Sequence, residues 1–304
     1  MGSLFRITLF APDEVIARVA ATNAFARVAE LNRIMSDYDP ESELMRLCRR
    51  PMGVPQRVST ELFDILERSQ TLARQSDGAF DVTVGPLVQL WRNARRRKSL
   101  PSPQAIATAR ERVGYHHLKL NAPSRSVTLL APEMKLDLGG IAKGYAADQA
   151  LAVLRRYGIT RAMCAASGDI AIGDPPPDKS GWRVGIGRMD ARGDELEQTL
   201  LLHHAGISTS GDAEQFVEID GVRYSHIVDP ATGLGLTNRN QVTIIAPNAT
   251  LTDGLATAVC VMGATRGLEL IESLPKVSAL IATLEPDGKR VIESRRFRAQ
   301  TRAE

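Results

Sequence analysis

The stretch Leu136–Asp148 reads LDLGGIAKGYAAD and combines two adjacent glycines with a lysine shortly after them. Its first three residues, Leu-Asp-Leu, are typical of the end of a short apolar strand. The two glycines that follow are typical of a turn that lets the backbone come close to a ligand. A helix is predicted from Ile141 because small and apolar residues recur at helical spacing until Gly158 stops it. A strand, a glycine turn and a helix start in this order direct free backbone N–H groups at an anion.

Lys143 lies in the first turn of this predicted helix, where a positive charge is unfavourable against the helix dipole. A compensating anion is therefore expected beside it, and a phosphate or pyrophosphate site is the first hypothesis. The stretch is not a Walker loop, because Lys143-Gly144 is followed by Tyr145 rather than by serine or threonine, and it lacks the Gly-x-Gly-x-x-Gly fingerprint. The alternative is a tight strand–helix joint with a solvated lysine.

Composition narrows the class of protein. The chain has 304 residues, of which 43% are hydrophobic and 24% charged, as in an ordinary globular protein. A net charge of +3 and only 5% aromatic residues argue against a nucleic-acid partner. The three cysteines are far apart and predict neither a disulfide framework nor a zinc site. The sequence contains no run of about 18 apolar residues and no secretion signal, so we expect no membrane span in this chain.

Predicted helices and strands alternate irregularly and include hairpins, which favours an α+β fold over a doubly wound sheet. We expect one domain over residues 1–304, ending in a basic tail at about residues 294–304. The segment Arg92–Lys98 holds five basic residues in seven, which is typical of a solvated face.

Three further polar clusters support the phosphate hypothesis. Asp253 and Thr257 are four residues apart on a predicted helix, so their oxygens share a face and suit a hard cation; the alternative is an ordinary helix-start acid and a helical threonine. His226 precedes Asp229 at a strand end and could act as a general base, although a lone histidine is more often structural. Ser208–Asp212 is either a second anion nest, a wall of polar contacts or a hydroxyl-rich turn.

In their order along the chain, these clusters resemble the FAD:protein FMN transferases, the ApbE-type flavin transferases. The blocks that carry the resemblance span almost the whole length. They are Met1-Gly2-Ser3, Ser36-Asp37-Tyr38, Ser42-Glu43-Leu44, Ser76–Asp81, Leu136–Asp148, Ser167-Gly168-Asp169, Ser208–Asp212, His226–Gly233 and Asp253–Ala258. Two positions depart from the family pattern: Cys48 replaces a common asparagine, and Ser167 replaces the first glycine of a usual Gly-Gly-Asp.

The resemblance implies a single α+β unit of two interwoven lobes with the flavin site between them. It also implies a reaction in which FAD is the substrate and Mg²⁺ the metal cofactor. The FMN half is transferred to a threonine or serine of an acceptor protein, and AMP is released. Such enzymes commonly act in the periplasm or attached to the cell envelope; with no signal peptide found, we expect a cytoplasmic protein or a trimmed mature form.

The resemblance also assigns the site residues. The expected FAD contacts are Met1, Tyr38, Ala79, Phe80, Asp81, Asp137, Lys143 and His226. The expected metal ligands are Asp253, Thr257 and the backbone carbonyl of Gly140. His226 and Asp253 are the expected catalytic residues, and His226 or a nearby carboxylate would take the proton of the attacking hydroxyl.

Two rival functions use much of the same site. In the first, water replaces the acceptor hydroxyl, which makes the chain a Mg²⁺-dependent FAD pyrophosphatase. In the second, the chain is a flavin-binding protein without turnover. The pair Asp253 and Thr257 argues against the second, because passive binding does not require a metal clamp on the pyrophosphate.

Overall fold

The computed structural model describes residues 4–187, 189, 196–211, 215–285 and 287–301. Its helices are α1 (Glu14–Met35), α2 (Glu43–Cys48), α3 (Thr60–Gln75), α4 (Gly85–Arg97), α5 (Pro103–Arg110), α6 (Ala142–Arg156), α7 (Ala249–Met262), α8 (Ala264–Ser273) and α9 (Arg295–Thr301). Its strands are β1 (Phe5–Leu9), β2 (Gln56–Arg57), β3 (Leu118–Asn121), β4 (Ser126–Leu129), β5 (Ala162–Ala166), β6 (Asp169–Ile172), β7 (Trp182–Gly187), β8 (Leu196–Leu202), β9 (Ala205–Gly211), β10 (Phe216–Ile219), β11 (Val222–Ser225), β12 (Arg239–Ala246), β13 (Ser278–Glu285) and β14 (Gly288–Glu293).

A seven-stranded sheet in the order β1-β5-β6-β9-β12-β13-β14 forms the centre of the molecule. Every neighbouring pair in it is antiparallel. Three small sheets, β2-β4-β3, β7-β8 and β10-β11, lie outside it. An antiparallel sheet accompanied by helices is an α+β architecture, so the fold class predicted from the sequence is confirmed.

Helices α6 and α7 carry the site, and they cross unusually closely. A Cβ added to Gly144 would lie 2.0 Å from the carbonyl oxygen of Ala249, so only glycine fits at this crossing. Asp148 on α6 accepts hydrogen bonds from the backbone N–H groups of Ala249 and Thr250, at 2.9 and 2.8 Å, and so caps the start of α7. The two helices are therefore fixed against each other by the close backbone contact at Gly144 and by the hydrogen bonds from the start of α7 to Asp148.

The predicted helix after the glycine turn is confirmed: α6 runs from Ala142 to Arg156, and Gly158 beyond its end has a φ of +73°. The strand predicted just before the turn is wrong, because residues 136–138 belong to no strand. Their backbone N–H groups bond to different segments instead of to one neighbour. Leu136 N donates to the Cys48 sulfur at 3.3 Å, and Asp137 N donates to the Val82 carbonyl at 2.8 Å.

The hydroxyl-rich segment near residue 208 is also different from expectation. Its residues up to Gly211 form strand β9 in the middle of the large sheet rather than a turn or a nest, and Asp212 lies outside the described residues. Ser208 is buried with its hydroxyl 2.7 Å from that of Thr252, and the hydroxyl of Thr209 lies 2.9 Å from that of Thr243 across the ladder. These hydroxyls bond β9 to α7 and to the neighbouring strand β12.

The basic C-terminal segment folds in part. Residues 295–301 form α9, and Phe297 on it is fully buried in a cluster with Trp182 and Leu280. Residues 302–304 lie outside the described part. Among the helices of the described ranges, none has both the length and the apolarity needed to cross a bilayer.

Candidate functional site

A half-buried lysine and two buried carboxylates form a cluster where α6, α7 and β6 meet. Lys143 Nζ donates to Asp169 Oδ2 and lies 3.4 Å from Asp253 Oδ1. Asp253 and Asp169 are only 1% and 2% exposed. We call Lys143, Asp169 and Asp253 the lysine cluster. The anion that the helix-start lysine requires is thus supplied by the chain itself.

Each member of the lysine cluster is placed by the element that carries it. Lys143 is the second residue of α6, and Asp169 is the first residue of β6, after a tight turn in which Ser167 has a φ of +55°. Asp253 lies on α7, and its Oδ2 accepts the backbone N–H of Gly144 at 3.0 Å. One of the N–H groups in the first turn of α6 is therefore bound to a protein carboxylate.

The charges of the lysine cluster do not cancel. Burial and the neighbouring charges shift the pKa values of Asp253 and Lys143. Burial raises the pKa of Asp253, the nearby Asp169 raises it further, and Lys143 and the Gly144 N–H only partly offset this, so that the pKa of Asp253 is about 7. Burial would lower the pKa of Lys143, but Asp253 and Asp169 outweigh burial and raise it above the ordinary value. The site holds one more acidic group than basic group.

Of the three residues predicted as metal ligands, Asp253 belongs to the lysine cluster, and Gly140 and Thr257 lie against each other next to it. A Cβ added to Gly140 would lie 2.9 Å from Thr257 Oγ1, so the glycine turn packs directly on the Thr257 hydroxyl. Thr257 is one helical turn beyond Asp253 on α7, on the same face. A carboxylate, a hydroxyl and a backbone carbonyl are the hard oxygen donors that Mg²⁺ binds, and the excess negative charge of the cluster suits a divalent cation. Within the described ranges there is no group of three His, Cys, Asp or Glu residues that could form a metal site without such neutral donors.

A second cluster surrounds Arg92 on α4, and we call it the arginine cluster. The guanidinium of Arg92 bridges Asp37 at 2.5 Å and Asp137 at 3.1 Å. Asp137 Oδ1 also accepts the backbone N–H of Gly139 at 2.8 Å, which ties this cluster to the glycine turn. Burial first, and then the charge of Asp37, raise the pKa of Asp137 to about 6, against the lowering effect of Arg92.

Tyr38 completes the arginine cluster at the surface. The centre of the guanidinium of Arg92 lies 4.2 Å from the centroid of the Tyr38 ring, and the Tyr38 residue is 72% exposed. The basic run of α4 is typical of a solvated face, and nothing in its sequence pattern predicts that Arg92 belongs to the site; the structure places Arg92 there. Asp37 and Asp169 are likewise not among the predicted site residues, although both lie in blocks that carry the family resemblance.

The predicted FAD contacts at residues 79–81 lie close to the glycine turn. A Cβ on Gly140 would lie 3.4 Å from Phe80 Cε2, so the buried Phe80 ring lies against the turn, and Ala79 before it is half-buried. Asp81 is buried, and its Oδ1 accepts hydrogen bonds from Thr83 N at 2.8 Å and Thr83 Oγ1 at 2.7 Å. The side chain of Asp81 therefore shapes the loop from within.

His226 lies just after β11. Trp91 of α4 contacts this strand, and its ring centroid lies 5.0 Å from that of Tyr224. Its ring Nδ1 is 3.1 Å from the carbonyl oxygen of Gln215, which can only accept, so Nδ1 carries the hydrogen and Nε2 is the acceptor nitrogen of the neutral ring. Trp91 Nε1 donates to the Gly233 carbonyl at 2.8 Å and so holds the turn that follows. Helix α4 thus connects the His226 segment through Trp91 to the arginine cluster through Arg92.

Most of the predicted site residues are brought together in this way. Gly140, Lys143, Asp253, Thr257 and Phe80 are linked through direct contacts around the glycine turn. Asp137 joins them through Gly139, and Tyr38 joins through Arg92. Met1 lies outside the described residues.

Comparison with known proteins gives a consistent result. The ApbE family matches residues 1–281. FAD:protein FMN transferases from Vibrio cholerae and Klebsiella pneumoniae are 32% and 30% identical, each over 98% of this chain and over 90% and 86% of their own lengths. The solved flavin transferase ApbE of Vibrio cholerae has a TM-score of 0.89 at 31% identity, covering 99% of this chain and 96% of that one. The apbe protein of Thermotoga maritima has a TM-score of 0.87 at 30% identity, covering 98% and 96%.

Proposed function

The chain belongs to the ApbE family, and from that premise we propose that it is a Mg²⁺-dependent transferase that moves the FMN half of FAD onto a threonine or serine hydroxyl of an acceptor protein and releases AMP. The observation that carries the proposal is the lysine cluster beside the glycine turn. Lys143, with Asp253 and Thr257 next to Gly140, matches the charge and donor types that a diphosphate and its metal ion require.

The metal would be held by Asp253, Thr257 and the carbonyl of Gly140. When bound, it supplies positive charge that stabilises the phosphate oxygens as the diphosphate bridge is broken. Lys143 supplies a second positive charge, and Asp169 holds its ammonium group in place. Because Asp169 and Asp253 share Lys143, this lysine is oriented before substrate arrives, and little of its side-chain entropy remains to be lost.

In the transfer step, the acceptor hydroxyl oxygen forms a bond to the phosphorus of the FMN half. The bond from that phosphorus to the bridging oxygen breaks, and its electron pair leaves on AMP. The hydroxyl proton goes to Nε2 of His226, whose Nδ1 hydrogen is held by the Gln215 carbonyl. The hydrogen bond at Nδ1 thus fixes the tautomer in which Nε2 can accept that proton.

The test is incubation of the purified chain with FAD and Mg²⁺ and with peptides that differ at one residue, which is threonine, serine or valine. We expect a mass gain of one FMN on the threonine or serine peptide, none on the valine peptide, and AMP in equal amount. EDTA should abolish both products.

The same experiment separates the rival functions. Free FMN and AMP at the same rate with all three peptides would contradict transfer and identify a pyrophosphatase. FAD that binds and is recovered intact with every peptide would contradict both enzymatic functions and leave a flavin-binding protein.

A further inference from the structure

Arg92 differs from the other basic residues of α4 in what it contacts. The guanidinium is held by carboxylates from two separate segments, Asp37 before α2 and Asp137 before the glycine turn. Arg97, on the last turn of the same helix, is exposed. A guanidinium fixed by two carboxylates has a defined plane, unlike a lysine ammonium, and can serve as a stacking surface.

Tyr38 is held on that surface. Its backbone N–H donates to the Ser36 hydroxyl at 3.3 Å, which fixes the short loop between α1 and α2. One ring face lies over the Arg92 guanidinium at 4.2 Å, while the residue as a whole is 72% exposed. The ring thus has the Arg92 guanidinium on one face, and most of the residue's surface is open to solvent. A large exposed aromatic ring fixed in this way is suited to bind a second flat ring by stacking.

We propose that Arg92 is a positioning residue that sets the Tyr38 ring as the stacking surface for the isoalloxazine ring of the substrate. The inference rests on the proposed function, because it takes FAD as the ligand. Asp137 contributes in two directions: one oxygen fixes Arg92, and the other fixes the Gly139 N–H of the glycine turn. The orientation of the flavin ring and the position of the diphosphate are thereby set by one carboxylate.

The test compares two ligands that share the adenosine diphosphate part but differ in the flavin. The affinities of FAD and of ADP are measured by calorimetry, at fixed Mg²⁺, for the wild type, Arg92→Leu, Arg92→Lys, Tyr38→Leu and the exposed control Arg97→Leu. We expect Arg92→Leu to raise the Kd of FAD about fivefold, the size typical of a ring contact near the surface, and to leave the Kd of ADP within about twofold. The KM for FAD should rise in parallel, with kcat nearly unchanged.

The controls keep the proposal falsifiable. Arg92→Lys keeps the positive charge between the two carboxylates and so remains folded, but it loses the planar fork, and we expect an intermediate Kd for FAD. Because both residues act as one stacking surface, the double variant Tyr38→Leu/Arg92→Leu should bind FAD no more weakly than Tyr38→Leu alone. Arg97→Leu should match the wild type.

Equal weakening of FAD and ADP by Arg92→Leu, or no weakening of either, would overturn the positioning role. So would additive effects in the double variant. A wild type that binds FAD but transfers no FMN counts against the proposed function alone, since the binding comparison still decides the role of Arg92. A wild type that binds ADP but not FAD overturns both.

Discussion

The lysine cluster and the arginine cluster have the same formal charges, one cation between two carboxylates, yet they are built differently. Lys143 is a point charge between carboxylate side chains that are only 3% and 1% exposed, whereas Arg92 is a planar fork between carboxylates that are 16% and 10% exposed, with the exposed Tyr38 ring against it. The two cations themselves are similarly half-buried, so the clusters differ in the burial of their carboxylates. Burial makes each unpaired charge costly, while partial exposure lets water compensate. The lysine cluster is therefore suited to concentrate charge for chemistry, and the arginine cluster to orient a ring.

The largest expected difference between the clusters is in turnover. Asp253→Asn removes the carboxylate proposed to bind the metal, and we expect kcat to fall by about 1,000-fold or more. Asp37→Asn removes one support of Arg92, and we expect less than about a tenfold change, mainly in KM for FAD. AMP release is the measurement. The control is Asp174→Asn, because Asp174 lies outside both clusters and pairs with His204. Similar losses from both substitutions would show that the clusters do not divide the work in this way.

The next difference is in stability. Lys143→Met leaves Asp169 and Asp253 buried without their cation, and we expect the free energy of unfolding to fall by about 3 kcal/mol. Arg92→Leu should cost about 1 kcal/mol, because Asp37 and Asp137 are closer to water. Urea unfolding followed by circular dichroism measures both. A loss of stability from Arg92→Leu as large as that from Lys143→Met would remove the distinction based on burial.

The pH dependence of stability should separate the clusters as well. The pKa of Asp253 is raised from 3.8 to about 7 in the folded chain, so this group contributes stability below about pH 4 that is lost as the pH rises through 7. Without metal ion, we expect the free energy of unfolding to fall by about 1 kcal/mol per pH unit across that window, and Asp253→Asn to abolish this slope. For Asp137 the corresponding loss ends at about pH 6. A profile that rises from pH 4 to 7 and is unchanged in Asp253→Asn would contradict the assignment.

The smallest expected effect is on salt dependence. Salt screens exposed charges far more than buried ones. In double-mutant cycles, the coupling of Arg92 with Asp37 should be about 1 kcal/mol at low salt and fall by about half in 0.5 M NaCl, whereas the coupling of Lys143 with Asp169 should hardly change. If salt weakened the two coupling energies equally, the two ion pairs would be equally accessible to solvent, and the proposed difference in burial would be wrong.

The sequence was informative where the signal is local. Four features can be recognised within a few residues or helical turns. They are the glycine turn, the helix that follows it, the unfavourable position of Lys143 at the start of that helix, and the helix face shared by Asp253 and Thr257. The need for an anion beside Lys143 was also predicted correctly. The two carboxylates that contact Lys143 were not predicted as its partners, because Asp169 and Asp253 are 26 and 110 residues away in the chain and no local pattern reports such a contact.

The arginine cluster shows the opposite limit. Five basic residues in seven are typical of a solvated face, and nothing in that run distinguishes Arg92 from Arg95 or Arg97. The only available signal was the neighbouring Trp91, a large apolar residue that places this part of the helix against the protein. Similarly, the alternation in residues 136–138 predicted a strand, because sequence cannot tell burial of alternate side chains from pairing with a neighbouring strand.

The hydrogen bond from Gly144 N–H to Asp253 joins residues 109 apart in the chain. During synthesis the start of α6 therefore leaves the ribosome before Asp253, the carboxylate that binds it, has been added to the chain. A nascent chain that ends before α7 has the glycine turn and Lys143, but it has neither Asp253 nor Thr257. We therefore expect flavin capture to follow the completion of translation, and nonsense truncations upstream of residue 253 to yield no partially active fragments.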